Sequence, residues 1–413
     1  MRVLIAAHDV YPDPGSGGTG RYVTETASRL VARGHDVSVL TRRRGDVAYR
    51  ETIRGIEVYR YDLKIAERSA PAIVRQLPGA LGRIEECIDR ITADRPIDLL
   101  SFQGPITSTL ADRCIENGVP RVCTLHSPWP TEYWIRTRGD SGFGAYRRGF
   151  NANARWVLER RVLDRSDRVQ TLSRFMARKL RAVYGPVASA AIVPGGVDTE
   201  RFTPTARPTV ELEGDPAFLT VRRLSARMGH PLLFGAFARV LEDHPNARLY
   251  LTGDSPLRSA LETRTERLAI DEQVTFLGYV PDADLPGVYA AADCFVLPTT
   301  DLEGFGLATV EALASGTPVV ATPVGATPEI LGDLRENSEV EADPLVASAS
   351  PTALARGMDT WASLPDERRR RAGRACRHYV EGNYRWERTV ANVERHWREA
   401  IAERTGHVPG GEL

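Results

Sequence analysis

Asp301-Leu-Glu303-Gly-Phe305-Gly306-Leu307-Ala-Thr-Val-Glu311-Ala-Leu-Ala-Ser-Gly316-Thr-Pro-Val-Val320 sets two carboxylates around a pair of glycines, with seven residues between them. The apolar run Cys294–Leu297 before it predicts a strand, and Leu307–Ser315 predicts a helix starting where the glycines stop. Strand, glycine-bearing loop and helix in that order build a parallel α/β sheet. The backbone N–H groups of Phe305, Gly306 and Leu307 then point out of a helix N-terminus, an anion site that needs no cation. Glu311 lies about one turn into that helix, on a face able to accept two ribose hydroxyls. Glu303 in the loop is able to accept hydroxyls of a second sugar. A diphosphate flanked by two hydroxyl-bearing rings is a nucleotide sugar. Helix capping explains either carboxylate alone and is the weaker explanation of both together.

The same alternation runs outward in both directions. Strands are predicted at Val3–Ala7, Asp36–Thr41, Ile56–Tyr61, Leu99–Phe102, Arg121–Leu125 and Val169–Leu172. A helix over Arg21–Arg33 is closed by Gly34, where a left-handed residue is wanted. After Ala190–Val193 the pattern starts again, through Pro194-Gly-Gly-Val-Asp198 and Phe202-Thr-Pro204, a passage suited to a hinge. Strands then fall at Phe218–Val221, Arg248–Thr252, Val274–Leu277 and Pro318–Ala321. At 413 residues one ordinary domain is too small a frame. The α/β pattern predicts two Rossmann-like domains, residues 1–193 and 194–385, facing across a cleft. From Asp366 the last helices carry Arg368 to Arg371, read as a solvated face.

Composition narrows the partners. Lys plus Arg number 54 and so do Asp plus Glu, so no global charge favours nucleic acid. The five cysteines are scattered without a CxxC pair, which fits neither a zinc site nor a disulfide framework. The opening Met1–Ala7 is apolar over too few residues for a signal peptide, and no stretch approaches the ~20 residues of a membrane span. A cytoplasmic location is expected. The only lysines are Lys64 and Lys179, so anion sites fall to arginine, backbone N–H groups or helix dipoles.

Three further stretches bear on chemistry. Gly15-Ser-Gly17-Gly18-Thr-Gly20 formally matches GxGxxG, but it sits too far from the first strand for a dinucleotide fingerprint. The second strand also ends in Arg42-Arg43-Arg44, with no carboxylate for a ribose. What remains is a loop feeding a helix N-terminus able to face a phosphate or sugar. Thr124-Leu-His126-Ser-Pro-Trp129 puts a histidine directly after a parallel strand, where ligands of open α/β sheets bind. Arg223 and Arg227, at a strand end and a helix start, are placed to straddle a diphosphate.

These stretches resemble the retaining glycosyltransferase family 4, of the GT-B fold. The resemblance runs through Gly17-Gly18, the His126 segment, Pro194 to Asp198, Arg223 to Gly229, Gly253 to Arg258, Phe276 to Val280 and the Glu303/Glu311 pair. It implies that Glu311 binds ribose, Glu303 the donor sugar, Val280 the base through its backbone, and His126 the transferring sugar. It also implies a C-terminal helix, residues 386–405, crossing back onto the N-terminal domain. The sequence departs from the family at Met228, where a lysine is usual, and at Gly195, where an asparagine is usual.

The implied reaction is sugar transfer with retention at the anomeric carbon, UDP-sugars ranking ahead of GDP-mannose as donor. Negative charge on the departing diphosphate falls to Arg223, Arg227 and the helix start at Phe305–Leu307, so no divalent metal and no cofactor are expected. A sugar-nucleotide epimerase and a non-catalytic nucleotide-sugar-binding protein are the alternatives. The first needs a second acid/base pair that the sequence does not show, and the second has no need of His126 and Glu303. The acceptor falls to the N-terminal domain, where Tyr133-Trp134-Ile135-Arg136, Arg147-Arg148 and Trp156 to Arg161 interleave aromatic and basic residues. That pattern suits peripheral contact with lipid headgroups at the inner membrane face, or an anionic acceptor. A helix packed on its own domain is the plainer alternative.

Overall fold

Thirteen strands form two separate sheets in the computed structural model, which describes residues 1–64, 70–138, 143–187 and 190–406. In the first half these are β1 (Arg2–Ala7), β2 (Asp36–Arg42), β3 (Arg50–Ile53), β4 (Ile56–Tyr61), β5 (Leu99–Gln103), β6 (Arg121–Leu125), β7 (Arg168–Thr171) and β8 (Ala190–Ile192). Their order across the sheet is β3-β4-β2-β1-β5-β6-β7-β8. All pairings are parallel except β3 with β4, a hairpin whose turn residues Arg54 and Gly55 both have positive φ. The sequence predicts a wholly parallel sheet here. Arg50-Glu51-Thr52-Ile53 is half-exposed and polar, so it lacks the continuous apolar run that marks a buried parallel strand.

Central β1 shows why the first residues are apolar: Val3 to Ala7 are all buried. Successive side chains go to opposite faces. Leu4 and Ala6 join a core with Leu40, Leu100 and Phe102. Val3, Ile5 and Ala7 join one built with Val23, Ala27 and Leu30 of the helix Gly18–Ala32. That second core is completed by Val390, Val393, Trp397 and Ala400 of the last helix, Trp386–Thr405. The helix is pinned to this face by Arg168 to Glu399, 2.6 Å, Arg33 to Glu394, 2.9 Å, and His396 to Gln170, 3.1 Å. The chain accordingly divides into two compact units. One comprises Met1–Leu172, Met176–Pro194 and the chain from Trp386 on; the other comprises Ser173–Phe175 and Gly195–Arg385.

The first helix starts at Gly18, three residues before the predicted Arg21, with the Arg21 N–H donating to Gly17 O at 2.9 Å. Gly18 and Gly20 are therefore helical rather than loop. A Cβ at Gly20 would lie 3.0 Å from Asp9 Oδ1, so its glycine serves close packing.

The second unit holds β9 (Ala217–Val221), β10 (Arg248–Thr252), β11 (Val274–Gly278), β12 (Cys294–Leu297) and β13 (Val319–Ala321), all parallel in the order β11-β10-β9-β12-β13. The winding reverses between β9 and β12, and the carboxyl ends of strands at such a reversal are where ligands of open α/β sheets bind. Among the described residues no helix is long and apolar enough to cross a membrane.

Candidate functional site

Two side chains meet over that reversal. Arg222 directly follows β9, Glu303 lies in the loop after β12, and Arg222 Nη2 donates to Glu303 Oε2 at 2.6 Å. The same nitrogen lies 2.9 Å from Thr299 Oγ1 and 2.9 Å from Met228 Sδ. Both charges are largely shielded, with side chains 7% and 11% exposed, so the pair is strongly oriented.

The backbone around Glu303 is fixed as firmly. Ala326 N–H donates to Glu303 O at 2.9 Å, and a Cβ at Gly325 would lie 2.3 Å from that oxygen. Leu302 just before it holds φ 53, a left-handed conformation costing a non-glycine residue ~1–2 kcal/mol. Arg227 Nη1 donates to the Leu302 carbonyl at 2.8 Å, while Thr300 N–H donates to Arg227 O at 2.9 Å. Arg227 thus holds the loop from both its side chain and its backbone.

The sequence assigns a diphosphate clamp to Arg223 and Arg227. In the structure Arg222 takes the position against Glu303, Arg227 braces the loop, and Arg223 is exposed. Arg222 is the first residue beyond a strand's carboxyl end, the argument that singled out His126, so the sequence held its signal. His230 went unnoticed as well. It is buried beside this cluster, and burial together with Arg222 lowers its pKa to about 4.

Gly306, with φ 92, caps the helix Leu307–Ala314. Phe305 and Glu311 are buried and Leu307 is half-buried. The Glu311 carboxylate already accepts the Tyr289 hydroxyl at 3.1 Å. The sequence reads this face as able to accept two ribose hydroxyls, and the Tyr289 hydroxyl orients the carboxylate through Oε2. Gly195, the departure from asparagine, has a local reason: a Cβ would fall 2.8 Å from the Phe305 ring. Met228, the departure from lysine, is buried against Arg222. Val280 lies just past β11, half-buried beside the exposed Tyr279.

In the first unit Gly17 is the N-cap of the helix Gly18–Ala32. His126 follows β6, with Nε2 3.2 Å from Gln103 Oε1 and its ring edge-on to Tyr22 at 5.0 Å. Burial lowers its pKa to about 4, so the imidazole is neutral near pH 7. The loop after it is anchored by Glu159 Oε2, which accepts the Trp129 N–H at 2.7 Å and also the Tyr184 hydroxyl. Burial raises the Glu159 carboxyl to about 8.

The model of the family described as Glycosyltransferase Family 4 matches residues 16–201, and that of Glycosyl transferases group 1 matches residues 203–378. The chain is 29% identical to the GDP-mannose-dependent alpha-(1-6)-phosphatidylinositol monomannoside mannosyltransferase of Mycobacterium tuberculosis, over 95% of this chain and 97% of that one. It is 28% identical to the D-inositol 3-phosphate glycosyltransferase of Segniliparus rotundus, over 97% and 89%. The fold is shared with sucrose-phosphate synthase of Thermosynechococcus elongatus, at TM-score 0.75 and 22% identity over 98% of this chain and all of that one.

Proposed function

The chain belongs to glycosyltransferase family 4, and from that premise we propose that it moves a hexose from a nucleoside-diphosphate sugar to a hydroxyl acceptor with retention at the anomeric carbon. The observation that carries this reading is the Arg222–Glu303 pair at the winding reversal of the second sheet. There Glu303 presents a fixed acceptor to sugar hydroxyls, and Arg222 brings a shielded cation to the same crevice. The helix start at Phe305–Leu307 meets the leaving diphosphate with backbone donors, worth most where water is excluded. Glu311 and Val280 are assigned to ribose and base. His126, kept neutral by burial, offers the reacting sugar a hydrogen bond without adding a cation.

The M. tuberculosis relative is named for GDP-mannose, which supports GDP-mannose ahead of UDP-sugars, the reverse of the sequence-based ranking. With Arg222 and the helix start available for the leaving charge, turnover is proposed to need no divalent ion, so chelation by EDTA leaves the rate unchanged. A cytoplasmic protein with peripheral membrane contact is the proposed setting.

The test is release of nucleoside diphosphate from GDP-mannose and UDP-glucose, first in water and then with polyol acceptors. Glu303→Ala is expected to cut turnover with modest change in nucleotide affinity. Glu311→Ala is expected to weaken nucleotide binding by ~1.5–3 kcal/mol, the cost of a lost hydrogen bond to a charged group. Binding without any donor cleavage would favour the non-catalytic alternative, and unchanged affinity in Glu311→Ala would remove the ribose assignment.

A further inference from the structure

Three adjacent strands of the first sheet deliver polar side chains to its carboxyl edge. His8 follows β1, Gln103 ends β5 and His126 follows β6, and the sheet runs β1-β5-β6. Pairing of Ala7 with Gln103 and of Phe102 with Cys123 sets their heights along the sheet. Gln103 is 5% exposed, so its amide has to find partners within the protein. Its Nε2 is 3.5 Å from Ser101 Oγ, two residues back on the same face of β5. Its Oε1 lies 3.2 Å from His126 Nε2. An amide oxygen only accepts. The proton of the neutral imidazole therefore belongs on Nε2, and Nδ1 is left as an acceptor.

The titratable groups facing His126 are themselves uncharged. Tyr22, from the helix Gly18–Ala32, meets the ring edge-on at 5.0 Å, and burial raises its phenol above the ordinary value. His8 is pushed down to about 3, by burial first and then by Arg42, Arg44, Arg136 and His126. Its Nε2 accepts from Arg44 at 2.9 Å. Among the described residues Gln103 is the side chain that hydrogen-bonds His126. A carboxylate in its place would favour the imidazolium; a neutral amide orders the ring and its proton without adding charge.

We propose that Gln103 is a positioning residue: by accepting the Nε2 proton it makes His126 Nδ1 the acceptor of a hydrogen bond from a hydroxyl of the reacting sugar. The sugar contact rests on the glycosyltransferase reading; the tautomer does not. The consequence is selectivity for a group that donates. An O–H at that contact is held, whereas a fluorine or a carboxylate, with no proton to give, meets a lone pair.

Full-length protein labelled with nitrogen-15 in its histidine rings is compared by NMR at pH 7 with Gln103→Leu and Gln103→Glu, the His126 signals being identified by their loss in His126→Asn. The expected spectrum shows a protected Nε2–H and an unprotonated Nδ1 for His126. Gln103→Leu broadens or removes that Nε2–H signal by exchange and lowers turnover ~10-fold or more at every pH. Gln103→Glu keeps the signal and raises the His126 pKa, which moves the acid limb of kcat up by about one pH unit or more while activity on the alkaline side is largely retained. Equal loss of activity in both variants with the Nε2–H untouched would mark Gln103 as packing alone and overturn the proposal. A proton on Nδ1 in the unsubstituted protein overturns it too, and that measurement needs no variant to fold. Failure of the glycosyltransferase reading appears separately, as absent donor cleavage by a protein that shows the expected tautomer.

Discussion

Glu303 is held by constraints that do not touch one another: Arg222 at its carboxylate, Gly325 and Ala326 at its carbonyl, and a left-handed Leu302 just before it. A strained residue persists only where its surroundings over-determine it, and Arg227 supplies that grip through the Leu302 carbonyl. Two roles for Arg227 then make different predictions. As a brace, its loss in Arg227→Ala lowers turnover ~10²-fold, the scale of a misplaced transition-state group. The added substitution Leu302→Gly, which relaxes the left-handed strain, then restores part of the rate. As a phosphate ligand, Arg227 would show no such rescue. Steady-state kinetics on the single and double variants decides, with kcat and KM followed separately. This division of labour among Arg222, Arg223 and Arg227 was not legible in the sequence. Three arginines within six residues share one chemistry; the strand end marks Arg222, but that Arg223 is exposed and that the turn Ala226–Met228 carries Arg227 onto the Leu302 loop appear only in the structure.

The helix Phe143–Asp164 carries three exposed apolar side chains in one stripe, with Trp156 exposed on another face and donating its Nε1 to Val183 O. Tyr146, Phe150 and Val157 are 78%, 63% and 58% exposed, and at 100° per residue they fall within about 40° of one another. Exposed Arg161 continues the stripe, and Arg147 lies beside it. The exposed acid at its end, Asp164, is engaged by Arg160 at 2.9 Å. Apolar rings flanked by arginine suit an anionic lipid surface, the peripheral contact proposed above. Phe150→Asp is therefore expected to reduce sedimentation with anionic vesicles several-fold while leaving the melting temperature unchanged, because the side chain packs against little protein. Unchanged sedimentation would remove the contact. Elements with strong periodicity were read directly: β4, β6, β10 and β12 fall at their predicted bounds. Short polar β3 and the glycine-rich start of the first helix were not, since hairpin pairing and packing against Asp9 decide them rather than local propensity.

Across the whole molecule, buried titratable groups set the response to acid. His8, His126 and His230 have folded pKa values of about 3, 4 and 4, below the 6.5 of an unfolded histidine. Each takes up a proton on unfolding, so its contribution is present above pH 6.5 and is lost as pH falls toward 4. Glu159, raised to about 8, has the opposite sign: its contribution is present below 4.5 and is lost as pH rises to 8. Between pH 4.5 and 6.5 the histidines outweigh it by about two protons, or roughly 3 kcal/mol of stability per pH unit. Denaturant melts at pH 5, 6 and 7 check this; a flat profile would show that these groups are solvated. The fold class was legible because two runs of alternating strands and helices need only local patterning. The last helix, Trp386–Thr405, carries Val390, Val393, Trp397 and Ala400 into the core of the first unit. During synthesis the β1 face of the first unit therefore stays uncovered until the helix Trp386–Thr405 has left the ribosome. The second unit, which apart from Ser173–Phe175 is contiguous from Gly195 to Arg385, is complete before that helix emerges. The second unit can thus close on itself before the first does, although the first is translated earlier.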